Sequence, residues 1–133
     1  MLTNTPVRIL LVEDDAVDRE SVRRALRKSG LDYDLHEAAD GEAGLDAVSS
    51  EHFDCVLLDY HLPGKSGIET FRAMPRAPGS TTAVIFLTGE GNEELALTVM
   101  EAGAVDYLTK DELQPAIARK PEGPSPFRWT LKI

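Results

Sequence analysis

The sequence predicts a doubly wound α/β sandwich, one parallel sheet with helices on both faces. Two observations predict it. Strand-like and helix-like segments alternate along the whole chain. Three of the strand-like segments, Val7–Val12, Cys55–Leu58 and Ala83–Leu87, are nearly continuous apolar runs. Strands covered on both faces read this way, whereas a half-exposed sheet alternates apolar with polar residues. The crossovers joining such strands are expected to be right-handed.

Each element has its own justification. "VRILLV" is apolar and branched, as a buried strand requires. "AVDRESVRRALRKSG" places Val22, Ala25 and Leu26 at helical spacing, with Gly30 as a stop. "YDLHEA" reads as a short strand, and "DGEAGLDAVSS" as a helix that Asp40 can cap. "FDCVLLD" is a strand. "GIETFRAM" is a short helix with Ile68 and Phe71 one turn apart. "AVIFLT" is a strand, and "EELALTVMEAG" a helix with Leu95, Val99 and Ala102 on one face. "VDYLT" is a strand, and "PAIARK" begins a helix with Pro115 in its first turn.

Bulk properties narrow the function. The chain has 133 residues, the size of one domain, and is 42% hydrophobic, enough for a core. Its net charge of −9 argues against nonspecific binding to nucleic acid or anionic membrane. No apolar run reaches the roughly 20 residues of a membrane span. Met1–Pro6 is too short for a signal peptide, so the expected compartment is the cytoplasm. Cys55 is the sole cysteine, which excludes an internal disulfide and a cysteine metal cluster. Inside an apolar run it reads as a small buried hydrophobe.

In doubly wound sheets the ligand site lies beyond the carboxyl ends of the strands. The first strand ends in Glu13, Asp14 and Asp15, the third in Asp59 and the fourth in Thr88, and Lys110 follows the fifth. Asp15 also reads as a helix cap. Several carboxylates at one sheet edge repel one another, so they must protonate or find a cation. Hard oxygen ligands of this kind suit Mg²⁺. A phosphoryl group could then sit between Mg²⁺, Lys110 and Thr88. Asp59 would be a carboxylate nucleophile forming an acyl phosphate. Each residue alone has a bland reading, such as a turn, a cap or a solvated charge. Their joint placement at four strand ends completes one chemistry.

The motifs "LLVEDD", "LLDYHLPGKSG", "IFLTGEG" and "GAVDYLTK", in that order, resemble the receiver domain of two-component response regulators. The resemblance covers about Val7 to Arg119. It implies a flavodoxin-like or CheY-like sheet of five parallel strands in the order 2-1-3-4-5. It implies that Asp59 accepts phosphate from a phosphohistidine of a sensor histidine kinase or a histidine phosphotransfer protein. Glu13, Asp14 and Asp59 would hold Mg²⁺, with help from the backbone carbonyl of His61. Thr88 would contact the phosphoryl group and move on activation, and Lys110 would pair with Asp59 or its phosphate. Tyr107 matches the aromatic that swings inward in the active state. His61 and Glu90 occupy positions that tune how long the phosphate lasts. His36 and His52 have no metal-ligand spacing to another histidine.

The chain departs from the family pattern twice. The key lysine is usually followed by proline through a cis peptide, whereas Asp111 follows Lys110 here. A cis bond before a non-proline residue costs roughly 3 kcal/mol, so the loop either runs trans or is strained. The second departure is the end of the chain. Residues 1–120 read as the receiver, and residues 121–133 as a Pro-rich tail. In "FRWTLKI", Phe127, Trp129, Leu131 and Ile133 alternate with polar residues, a strand pattern over 127–133. It is expected to pack back on the domain or add to a partner's sheet, as in a homodimer. The competing expectation is a tail or linker.

The function expected is a phosphorylation-controlled switch whose only catalysis acts on itself. No helix-turn-helix signature follows the receiver-like segment, so output is expected through a downstream protein target rather than DNA. Two competing readings fall outside this class. A phosphatase working through an aspartyl phosphate needs a second acid two residues after the nucleophile, and that position is His61. A phosphorylation-independent pseudo-receiver, acting as a constitutive binding module, draws only on the altered lysine loop and on a last helix cut short at Pro121.

Overall fold

A computed structural model of the chain describes residues 6–75, 82–89 and 91–113. Five strands alternate with four helices in these residues. They are β1 (Val7–Val12), α1 (Ala16–Ser29), β2 (Tyr33–Ala38), α2 (Gly41–Ser50), β3 (Cys55–Asp59), α3 (Gly67–Ala73), β4 (Ala83–Thr88), α4 (Glu93–Glu101) and β5 (Asp106–Thr109). The sheet order is β2-β1-β3-β4-β5, as the family resemblance implied, and every neighbouring pair is parallel.

The apolar runs follow from burial on both faces. Alternate residues of one strand point to opposite sides. Ile9, Leu11, Leu57, Ile85 and Leu87 face one layer, where they pack with Val22, Ala25 and Leu26 of α1. Leu10, Val12, Val56, Leu58 and Phe86 face the other, against Phe71 of α3 and Val99 of α4. The rings of Phe71 and Phe86 meet edge to face at 5.4 Å. Each such side chain contributes about 1.5–3 kcal/mol by leaving water. Truncating one, as in Leu57→Ala, costs about 2–5 kcal/mol because the packed layer cannot collapse around the hole. Cys55 is wholly buried, matching its reading as a small hydrophobe.

Local signals set the helix ends. Asp15 caps α1 by accepting from Val17 N–H at 3.0 Å, and Asp40 caps α2 by accepting from Ala43 N–H at 2.8 Å. Gly30 ends α1 with φ 77°, the left-handed conformation that glycine adopts without a Cβ clash. Ser66 and Glu69 form a capping box before α3. Asn92 caps α4 by accepting from Glu94 N–H at 2.8 Å and Leu95 N–H at 3.3 Å.

The end of the sheet differs from the sequence reading in two details. Val105 stays outside β5 and is 40% exposed. A helical turn opens at residues 110–113, ahead of the start expected at Pro115. The cause is local: Glu112 Oε1 accepts from Thr109 N–H at 2.9 Å and from Thr109 Oγ1–H at 3.0 Å, closing the first turn. Residues 115–133, with the strand expected over 127–133, lie outside the described residues.

Candidate functional site

Parallel strands bring their carboxyl ends to one edge, and the candidate residues collect there. Asp59 is the last residue of β3 and is almost wholly buried. In register it lies opposite Leu87, one residue before the buried Thr88 that ends β4. Tyr60 N–H donates to Leu87 O at 2.8 Å, which carries the pairing one residue past the strand and fixes Asp59. Glu13 follows β1, and its N–H donates to Ala38 O at 3.0 Å. Glu13 is also buried, whereas Asp14 is exposed.

Carboxylate oxygens of Glu13, Asp14 and Asp59 lie within 4.8 Å of one another. Lys110 enters this group from beyond β5. Its Nζ lies 2.8 Å from Glu13 Oε1, 3.7 Å from Asp59 Oδ2 and 2.6 Å from Asp18 Oδ2. Backbone groups complete the shell. His61 N–H donates to Asp59 Oδ1 at 3.3 Å, and Asp15 N–H donates to Glu13 Oε2 at 3.1 Å. Arg19 Nη1 donates to the Glu13 carbonyl at 2.8 Å, tying α1 to the acidic loop. No cis peptide occurs among the described residues, so the Lys110–Asp111 bond is trans.

The electrostatics follow from this crowding. Burial raises the Glu13 carboxyl to about 7, against the Lys110 ammonium and the Asp15 N–H, which both lower it. Burial also raises Asp59, opposed by Glu13, Lys110 and the His61 N–H. For Lys110, burial favours the neutral amine, but the hydrogen bond to Asp18 and the close Glu13 and Asp59 carboxylates prevail and raise its pKa. One ammonium therefore faces several carboxylates, and the edge keeps a negative surplus.

That surplus fits a divalent cation. Glu13 Oε1 is buried and accepts no well-directed hydrogen bond, although the Lys110 charge lies close. The donors are all hard oxygens, the set that Mg²⁺ prefers. Two further sequence candidates lie among the described residues. His61 is exposed, with its ring edge-on to Tyr60 at 5.1 Å, and it meets Asp59 through its backbone. Tyr107 is half-buried against the α3–α4 layer, and its hydroxyl accepts from Asn92 N–H at 3.1 Å. Glu90 lies outside the described residues.

Sequence reasoning missed Asp18. Asp18 is the carboxylate nearest Lys110. No local signal marks the pair, because its members are 92 positions apart.

Comparison with known proteins agrees with this geometry. The family model of the response regulator receiver domain matches residues 9–120. Response regulator MprA of Mycolicibacterium vanbaalenii is 38% identical over 115 residues, 86% of this chain and 48% of that protein. Transcriptional regulatory protein FixJ of Bradyrhizobium diazoefficiens is 37% identical over 102 residues, 77% of this chain and 48% of that protein. The chain thus spans about half the length of these curated relatives. Among solved structures, the receiver domain of the putative response regulator NarL from Mycobacterium tuberculosis superposes with a TM-score of 0.71 at 30% identity, covering 85% of this chain and 90% of that one. The Mn²⁺-bound response regulator Rcp1 gives a TM-score of 0.71 at 30% identity, with the same coverage. The BeF3-activated DrrB receiver domain gives 0.75 at 29% identity, covering 97% of this chain and all of that one. The chain belongs to the response regulator receiver domains of two-component systems. Its Glu13, Asp14 and Asp59 cluster fits the metal-assisted phosphorylation site of that family.

Proposed function

We propose that the chain accepts a phosphoryl group on Asp59 and uses it to switch a protein-binding surface. The observation that carries this reading is the convergence of Lys110 on Asp59 and Glu13 at the carboxyl edge of the sheet. The donor is a phosphohistidine on a sensor histidine kinase or a histidine phosphotransfer protein. An Asp59 carboxylate oxygen attacks phosphorus, a P–O bond forms, the P–N bond breaks, and the imidazole nitrogen leaves with its electron pair. The Lys110 charge and the His61 N–H favour the ionised Asp59 and partly offset its burial.

Glu13, Asp14 and Asp59, with the His61 carbonyl, would hold Mg²⁺. When bound, the ion neutralises charge on the phosphoryl oxygens. Lys110 supplies the second positive charge. Mn²⁺ in the similar Rcp1 structure supports a divalent site here. The chain acts on itself and does not turn over a substrate. The His61 and Glu90 side chains set how readily water reaches the acyl phosphate.

Thr88 is the residue that senses the product. Its hydroxyl draws toward the phosphoryl group and makes room for Tyr107 to turn inward from Asn92. Leu97, Met100 and Val105 are exposed apolar residues of α4 and the turn before β5. They present the surface that a downstream protein reads. The acidic chain makes no direct contact with DNA and works in the cytoplasm.

Beryllofluoride, a phosphoryl mimic, tests the switch. With Mg²⁺ it should shift the amide resonances of Asp59, Thr88 and Tyr107, and EDTA should reverse the change. Resonances that stay in place at saturating beryllofluoride would contradict the reading.

A further inference from the structure

Asp18 is the third residue of α1, so the bland account makes it a first-turn acid that favours the helix dipole. The geometry asks for more. Asp15 already caps the helix. The Asp18 side chain makes no other ion pair among the described residues, and it is the nearest holder of Lys110 Nζ at 2.6 Å, beside Glu13 Oε1 at 2.8 Å, while Asp59 Oδ2 stays 3.7 Å away. Both partners are largely shielded, with side-chain exposures of 21% for Lys110 and 31% for Asp18. A short charge-assisted bond in such a setting is stronger than a solvated surface pair.

We propose that Asp18 is a positioning residue for Lys110, a latch that holds the ammonium short of Asp59 until a phosphoryl group draws it away. The proposal rests on the reading of Asp59 as the phosphoacceptor. A phosphoryl group brings a charge of about −1.5 to −2, which outcompetes one carboxylate for the ammonium. Asp18 still opposes the transfer, because its own charge loses a partner when Lys110 leaves. It therefore slows phosphorylation and shortens the life of the acyl phosphate. The latch also explains how the lysine is oriented on a trans loop, where it opens a helical turn.

Asp18→Asn keeps the shape and removes the charge. Two readouts separate the latch from a helix-stabilising role. The first is the ¹⁵Nζ signal of Lys110 in unphosphorylated, metal-free protein. It should be resolved and protected in the wild type and should shift and exchange faster in Asp18→Asn, where only Glu13 still holds the ammonium closely. The second is adduct formation with phosphoramidate and Mg²⁺, followed by intact mass. Asp18→Asn should speed uptake and slow decay by about two- to tenfold, the share of rate a charge-assisted bond can control. In a Lys110→Ala background the same substitution should change neither rate, since the partner is gone.

An unaltered ammonium signal in Asp18→Asn would overturn the latch. So would an equal rate change in the presence and absence of the lysine. A wild-type chain that takes no phosphoryl group overturns the reading of Asp59 and the regulatory role with it. The ammonium signal still decides separately whether Asp18 holds Lys110.

Discussion

Gly67 lies directly against the backbone of Asp59. Its N–H donates to Tyr60 O at 3.0 Å, and a Cβ at this position would overlap the Asp59 carbonyl oxygen. The loop that follows β3 turns back over the strand end, with Gly64 at φ 72°, and α3 starts where it closes. Gly67→Ala must therefore push the β3 end or the start of α3 outward. We expect a loss of about 1–3 kcal/mol in stability, the usual cost of overpacking. The urea midpoint measures it. Phosphoryl uptake should fall further than stability alone explains, because the displaced backbone carries Asp59.

The Glu13 carboxyl ties stability to pH in the metal-free protein. It titrates at about 7 in the fold, against 4.5 ordinarily. Between those values the folded chain holds a proton that the unfolded chain has released. Stability therefore falls as pH rises through this window and levels off above it. The drop is about 1–3 kcal/mol, counted at one unit per 1.36 kcal/mol and discounted for relaxation. Asp59 is shifted in the same direction and adds to the slope. Urea midpoints in EDTA at about pH 5 and about pH 8 should show the fall. Glu13→Gln should flatten it, and Mg²⁺ should oppose it by favouring the ionised carboxylates.

Relief of repulsion gives a related expectation. Asp59→Asn removes one of several clustered carboxylates, so it should raise metal-free stability above pH 7 by about 1–2 kcal/mol. The same substitution should weaken Mg²⁺ binding by calorimetry. A variant both less stable and equally able to bind the metal would contradict the crowded-carboxylate picture.

Asn92 links Tyr107 to α4, since its side chain caps the helix while its N–H meets the Tyr107 hydroxyl. Asn92→Ala should cost about 0.5–2 kcal/mol, the range for a lost N-cap. Amide exchange should quicken in the first turn of α4 and stay unchanged in α1.

Much of this was legible in the sequence because burial on both faces leaves a plain mark. Every residue of β3 and β4 is buried, and the apolar runs follow. Glu13, Asp59, Thr88 and Lys110 were legible as strand-end residues, since parallel strands deliver their ends to one edge. The edge strand β5 is only half-buried, and its start was misplaced at Val105. The helical turn after it was legible and overlooked: Thr109 and Glu112 have the spacing of a capping box. The Lys110–Asp18 pair was not legible. It is set by where a side chain lands across the sheet edge, which no local periodicity encodes.

The central claim is that Asp59 takes the phosphoryl group with Mg²⁺. Its most direct test is the intact mass of the protein after incubation with acetyl phosphate and Mg²⁺, beside Asp59→Asn and an EDTA control. One phosphoryl adduct is expected in the wild type and none in either control. A folded wild-type protein that gains no mass, or an adduct that persists in Asp59→Asn, would contradict it.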